Sequence, residues 1–302
     1  MTSFPLCPDC SGEAKLIGSI PATDVFAGRS LQRPLPGGHL YRCRRCLLGF
    51  RWPRLTKDEL DALYKGGSET TWSTPPDSRT DWHIAREWIG QRVPMGNRIL
   101  DVGCFDGGFL EPLVDSYQCF GIEIHPNARE RAKRKGIEVI GSDFSEVTRS
   151  FDCITAFDVI EHMERPRSFL DHCLAAVRPR GWVLVSTGNL DAFSFRMMGS
   201  RYWYCTIAEH ISFLSPAWFQ AIEQKSSCIL KQTAFAHGAA STSRRFREAA
   251  NNVLYRTAPW AFRNLRKLGF GGKSVDGSPE MADHPPAWGS ARDHFMVLVQ
   301  KA

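Results

Sequence analysis

Through the middle of the chain, short apolar runs alternate with stretches of helical periodicity. Runs of this length, bounded by turn residues, read as buried strands. They fall at about 98–102, 119–124, 137–141, 151–157, 181–187 and 227–235, and Phe295–Val299 forms a last such run. Strands alternating with helices predict an α/β fold with a mainly parallel sheet and helices on both faces. Residues 81–90 carry an amphipathic helical pattern, with Asp81 read near its cap.

The most informative segment is Ile99-Leu100-Asp101-Val102-Gly103-Cys104-Phe105-Asp106-Gly107-Gly108-Phe109-Leu110. A strand ends in a carboxylate, turns through glycines and enters a helix, as in the first βα unit of a nucleotide-type fold. Glycine lets the backbone turn sharply and lets a ligand approach it. About twenty residues later, in the run Gly121-Ile122-Glu123-Ile124, a second strand ends in Glu123, where such folds grip a ribose diol.

The N-terminal stretch has a different pattern. Cys7-Pro8-Asp9-Cys10 and Cys43-Arg44-Arg45-Cys46 offer four soft sulfur ligands, which suits a closed tetrahedral zinc site. Residues 1–52 therefore read as a zinc ribbon of short antiparallel strands. The metal is structural, because four thiolates leave no open coordination position. A lobe this small buries too little apolar surface to hold itself together. Residues 53–97 read as a linker and N-terminal helices. Thr56 and Glu59 make a capping box, Gly66-Gly67 ends that helix, and residues 68–80 with Pro75-Pro76 form a linker or lid. Tyr64 either reaches over a cofactor or packs. The remainder, 98–302, holds the α/β core with a basic helical insertion at about 236–292.

The full chain has 302 residues, 43% apolar and 23% charged, with a formal net charge of +6. These are ordinary values for a water-borne domain. Neither a leader nor an apolar run of membrane-spanning length is present, so the expectation is a cytoplasmic protein. Six further cysteines, Cys104, Cys119, Cys153, Cys173, Cys205 and Cys228, are scattered singly and read as reduced buried thiols. The insertion carries Arg244-Arg245-Phe246-Arg247 and Trp260 to Leu268, basic and apolar at helical spacing. It reads either as a cap meeting an anionic acceptor or a membrane surface, or as a helix pair with a solvated basic face.

Residues 99–110 resemble motif I of class I S-adenosylmethionine-dependent methyltransferases. Gly141-Ser142-Asp143-Phe144, Phe151 to His162 and Arg178 to Thr187 resemble later motifs of the same family. The likeness covers roughly 80–235 and the final strand, which it implies is added antiparallel. It implies a Rossmann-like sheet binding S-adenosylmethionine. Asp101, Gly103, Phe105 and Gly107 would frame the methionine end, Glu123 and Ile124 the ribose, and Asp143 and Phe144 the adenine. Asp158 would stand where the methyl points. Phe105 departs from the family's usual glycine, and its ring is expected to point outward. The ribbon, proline and short helix look like methyltransferases of glycan and natural-product pathways.

Asp158-x-x-Glu161-His162 with a distant His210 is similar to the metal-binding pattern of small-RNA 2′-O-methyltransferases and ubiquinone-pathway O-methyltransferases. The readings left open are a divalent metal at all four residues, a metal-free site with His162 or His210 as general base, and histidines that only cap or pack. Neither an Asn-Pro-Pro-Tyr motif nor a Pro-Cys pair follows the fourth strand, so an oxygen acceptor is expected, on a sugar or related small molecule. The alternatives are an RNA methyltransferase gripping phosphates through Arg42, Arg44 and Arg45, a sugar C-methyltransferase, and a non-catalytic cofactor-binding regulator. Oligomeric state is not legible.

Overall fold

The computed structural model describes residues 5–66, 73–222, 227–236, 240–268 and 284–302. The N-terminal elements are β1 (Ala14–Ile20), β2 (Thr23–Phe26), β3 (Arg29–Leu35), β4 (Gly38–Cys43), β5 (Gly49–Trp52) and α1 (Lys57–Lys65). Then come α2 (Thr80–Arg92), β6 (Arg98–Val102), β7 (Gln118–Ile122), α3 (Pro126–Arg134), β8 (Glu138–Gly141), β9 (Phe151–Phe157), α4 (Pro166–Ala176) and β10 (Val177–Gly188). The C-terminal part holds α5 (Phe193–Met198), α6 (Trp203–Thr206), β11 (Ser212–Phe213), α7 (Pro216–Ala221) and β12 (Ser227–Phe235). It closes with α8 (Thr242–Thr257), α9 (Pro259–Lys267) and β13 (His294–Lys301). Two units form, one of Met1–Gly67, Asn189–Ser215 and Ala236–Asp293, the other of Ser68–Gly188, Pro216–Phe235 and His294–Ala302.

In the second unit a seven-stranded sheet has the order β12-β13-β10-β9-β6-β7-β8. The five strands from β10 to β8 run parallel, and β13 pairs antiparallel with both β10 and β12. The expected fold class and the antiparallel closing strand are both present. β9 and β12 occupy the expected residues. β10 begins earlier than expected, because Val177 already pairs with Phe151 before the register shifts ahead of Trp182. The chain builds β6, β7 and β8 outward in one direction and then returns to lay β9 on the other side of β6. In open α/β sheets that reversal marks where ligands bind, outside the carboxyl ends of the strands.

α2 covers this sheet. Trp82, Ala85, Trp88 and Ile89 are buried at helical spacing in a cluster with Phe109, Phe157, Leu184 and Met296. Asp81 does not cap the helix. The cap position is Arg79, and Asp81 is fully buried in the first turn.

In the first unit, β1, β4, β5 and β11 form an antiparallel sheet, and β2 and β3 form a hairpin. The ribbon's short antiparallel strands are as expected. The core gathers Ile20, Leu40, Phe195, Tyr202, Phe213, Tyr255 and Phe262, so α8 and α9 bury one face there. Arg51 is buried on β5, and its guanidinium donates to the carbonyls of Cys205, Ile207 and His210. The Thr56–Glu59 capping box forms on α1. Tyr64 packs edge-on against Phe26 at 5.1 Å, and Tyr202 and Tyr204 are buried. Residues 67–72 of the expected linker and 269–283 of the insertion lie outside the described residues, as does the Cys228 side chain.

Candidate functional site

Asp101, at the end of β6, faces Thr155 on the neighbouring β9, and Thr155 Oγ1 donates to its Oδ1 at 2.7 Å. The pair straddles the reversal point of the sheet. Burial pushes the Asp101 carboxyl up to about 7, against the opposing pull of the Thr155 hydrogen bond and of Arg79. A carboxylate held dry and only partly ionised near neutrality is readily drawn into its charged form by an approaching cation.

Glu123 follows β7 directly and is buried. Its Oε1 accepts from the His125 amide at 2.7 Å and its Oε2 from the Phe105 amide at 2.9 Å. Burial raises its pKa, opposed chiefly by these two amides. These amides hold both carboxylate oxygens in place at the end of β7. The same bonds splint the β6 loop to the end of β7. Gly103 and Gly107 both have positive φ, 75° and 78°, and a Cβ on Gly107 would lie 2.2 Å from Ile137 Cδ1. A side chain at Gly107 would be strained by the backbone and would have to displace the Ile137 side chain. Asp106 in this loop is buried, accepting from Ser73 Oγ at 2.7 Å.

Phe105 does not point outward. It takes φ 48°, and its ring is buried edge-on to His125 with the Arg131 guanidinium over it at 5.3 Å. The left-handed backbone turns the side chain inward, where a cation–π contact and an aromatic edge receive it. Ile124 is exposed. Asp143 and Phe144 stand after β8, where Asp143 caps a short turn by accepting from the Ser145 amide at 2.8 Å. Phe144 meets Phe169 at 6.1 Å.

Asp158, Glu161 and His162 do not share a helical face. Asp158 has φ 53°, and only Ile160–His162 make a three-residue turn. Asp158 is instead ion-paired to Arg79 at 2.6 Å. Arg79 also grips the fully buried Asp81 through two nitrogens, Nε at 3.0 Å, while Ser186 Oγ donates to Asp81 Oδ2 at 3.1 Å. Its guanidinium lies 5.1 Å over the Trp82 ring. Burial works to lower the Arg79 pKa, but Asp158 and Asp81 outweigh it and hold the group charged. Sequence reasoning missed Arg79, Asp81 and Ser186. The only trace was an arginine two positions before an aspartate at a helix start. Glu161 is buried and accepts from Thr187 Oγ1 at 2.9 Å, and His162 is half-buried. His210 belongs to the other unit, where its Nδ1 lies 3.0 Å from the Tyr204 carbonyl oxygen and its ring 4.1 Å from that of Tyr204.

In that other unit the four expected cysteines converge. The sulfurs of Cys7, Cys10, Cys43 and Cys46 all lie within 4.8 Å of one another. Each knuckle is closed by a residue of positive φ directly after its second cysteine, Ser11 at 56° and Leu47 at 66°. The amides of Arg45 and Cys46 donate to Cys43 Sγ at 3.3 and 3.4 Å. A Cβ on Gly12 would crowd Cys10 Sγ at 3.2 Å and Cys43 Sγ at 3.3 Å, so the chain passes against the cluster. The described lone cysteines are buried and free.

A methyltransferase-domain family model matches residues 81–225. Over these residues the chain resembles a methyltransferase domain. The match begins at Asp81 and includes Asp101, Glu123, Asp143 and the Asp158–His162 segment. The chain is similar to the ubiquinone biosynthesis O-methyltransferase of Bordetella avium, 29% identical over half of this chain and 70% of that protein. It is also similar to the protein of that name from Xylella fastidiosa, 31% identical over 39% of this chain and 54% of that one. For most of these relatives the chain spans about half their length. Among solved structures, coclaurine N-methyltransferase bound to N-methylheliamine and SAH aligns over 76% of this chain and 75% of that chain. Its TM-score is 0.46 at 15% identity. Among the described residues, no helix is long and apolar enough to cross a membrane.

Proposed function

We propose that this protein moves the methyl group of S-adenosylmethionine onto a hydroxyl oxygen of a small-molecule acceptor, and that Cys7, Cys10, Cys43 and Cys46 hold a structural zinc. The observation that carries the first reading is the pair of buried strand-end carboxylates, Asp101 and Glu123, at the reversal point of the sheet. Glu123 accepts from the two ribose hydroxyls. Asp101 meets the positive methionine end. Asp143 and Phe144 flank the adenine. Transfer breaks the sulfur–carbon bond as the oxygen–carbon bond forms, with sulfur keeping the electron pair. Positive charge disperses, so orientation is the main demand, worth about 7–11 kcal/mol in well-aligned reactions. The acceptor's proton must leave, and His162 takes it, for a rate gain of about 10²–10⁴.

The relatives' shared name, O-methyltransferase, supports an oxygen acceptor. The ribbon's likeness to glycan-pathway enzymes keeps sugar hydroxyls in the acceptor screen. The four thiols fit zinc by donor type, number and mutual approach, with amide–sulfur bonds supporting the ligands. Zinc there would order the N-terminal knuckles and take no part in transfer.

Purified protein with S-adenosylmethionine, offered pools of sugar and aromatic hydroxyl compounds, should yield a product heavier by one methyl group. Replacing Glu123 by Ala should abolish it. Turnover that survives chelation but not His162→Gln assigns the proton to His162. Turnover lost to chelation and restored by a divalent cation would assign the Glu161–His162 turn a metal role instead. Cofactor binding without product from any pool would favour a regulator.

A further inference from the structure

The two helices of the insertion carry a surface that methyl transfer does not use. α8 and α9, with the adjoining Leu268, hold seven basic residues against the single acid Glu248, a net charge of +6. The whole chain also has +6, so every other charge in the molecule balances. The helices bury one side through Asn252, Tyr255 and Phe262. On the exposed side of α8, Phe246, Ala250 and Val253 recur at helical spacing in one stripe. Phe246 is 77% exposed, Trp260 at the start of α9 70%, and Leu268 at its end 72%. Arg245, Arg247, Arg256, Arg263 and Lys267 flank them, all exposed.

Solvated basic helices do not need bare aromatic and aliphatic side chains, and large apolar groups clustered outside the core mark a docking face. We infer that α8 and α9 seat this protein on an anionic lipid surface, with Phe246, Val253, Trp260 and Leu268 entering the headgroup boundary while the flanking arginines and Lys267 meet lipid phosphates. Aromatic and aliphatic groups beside cations match that boundary, where apolar depth and negative charge coexist. A second copy of the same face would bring +6 against +6. A single-stranded nucleic acid would use the rings for stacking but gives Val253, Leu265 and Leu268 no partner. The inference is independent of the acceptor, since it uses none of the site residues.

The test is sedimentation of the full-length protein with phosphatidylcholine vesicles, with and without about one-third phosphatidylglycerol, at low and high salt. Binding should be at least tenfold tighter to the anionic vesicles and weaken with salt. The triple variant F246S, W260S, L268S should lose about tenfold in vesicle affinity with an unchanged melting temperature. The charge variant R245E, R247E, K267E should lose anionic preference altogether. Equal binding to both vesicle types overturns the inference. So does a triple variant that binds like the parent, which would make the contact purely electrostatic. Release of bound protein from anionic vesicles by stoichiometric RNA would assign the face to nucleic acid instead.

Discussion

Two places in this molecule bring ligating atoms together, and they are built in opposite ways. In the N-terminal unit, two four-residue knuckles each fix their own pair of thiols, and β1 and β4 then carry the pairs into register. In the other unit no local motif suffices. Asp101 and Glu123 come from successive parallel strands, and Arg79 reaches in from before α2 to bind Asp158, 79 residues away. The thiol cluster gathers four soft donors that would hold a metal ion, whereas the carboxylates are restrained by an internal cation and by amides. With zinc bound as proposed, the thiol site would depend on its ligand for its fold, whereas the carboxylate site is held by contacts within the protein.

The sharpest way to break this contrast is Cys43→Ser. If zinc is held there, losing one ligand removes much of a binding energy on the order of 10 kcal/mol in small metal domains. Elemental analysis should then fall from about one zinc per chain, and the N-terminal unit should become protease-sensitive. Arg79→Met should come next. It leaves the buried Asp81 and its neighbour Asp158 without their cation, at a cost of about 3–5 kcal/mol in denaturant unfolding, with partial recovery in Arg79→Lys. Zinc content should not change. Glu123→Ala should weaken S-adenosylmethionine binding by about 1.5–3 kcal/mol for each charge-assisted bond lost, as read by calorimetry.

A further test sharpens the comparison through pH. Asp101 titrates at about 7 in the fold and near 4 when unfolded. A raised folded value favours the native state fully below the unfolded value, and that contribution is lost as pH rises through the folded one. Melting temperature should accordingly decline from about pH 4 to about 7 through this group. Asp101→Asn, which can still accept from Thr155, should flatten that slope and melt higher than the parent at pH 8.

What could be read beforehand follows the same division. The Cys-x-x-Cys pairs, the strand-end Asp101 and Glu123, and the order of β6 to β10 were legible because local spacing and alternation encode them. Phe105 was misjudged because its orientation depends on a left-handed backbone and on Arg131, neither visible in the loop's own pattern. The Asp158–His162 stretch resembled a metal-binding pattern with its role left open, and Asp158 leaves β9 with φ 53° and turns to Arg79. Asp81 read as a cap because aspartate is common there. Its burial beneath Arg79 and Ser186 is a tertiary fact that no short window holds.

The pairing of β11 with β5, and the hold of Arg51 on the carbonyls of Cys205, Ile207 and His210, tie residues near 50 to residues near 210. During synthesis β5 and Arg51 cannot complete their pairings until residues near 210 have emerged. A clone trimmed through β5 would be a damaged protein rather than a simplified one, with a vacant strand position beside β11 and three backbone oxygens stripped of their donor.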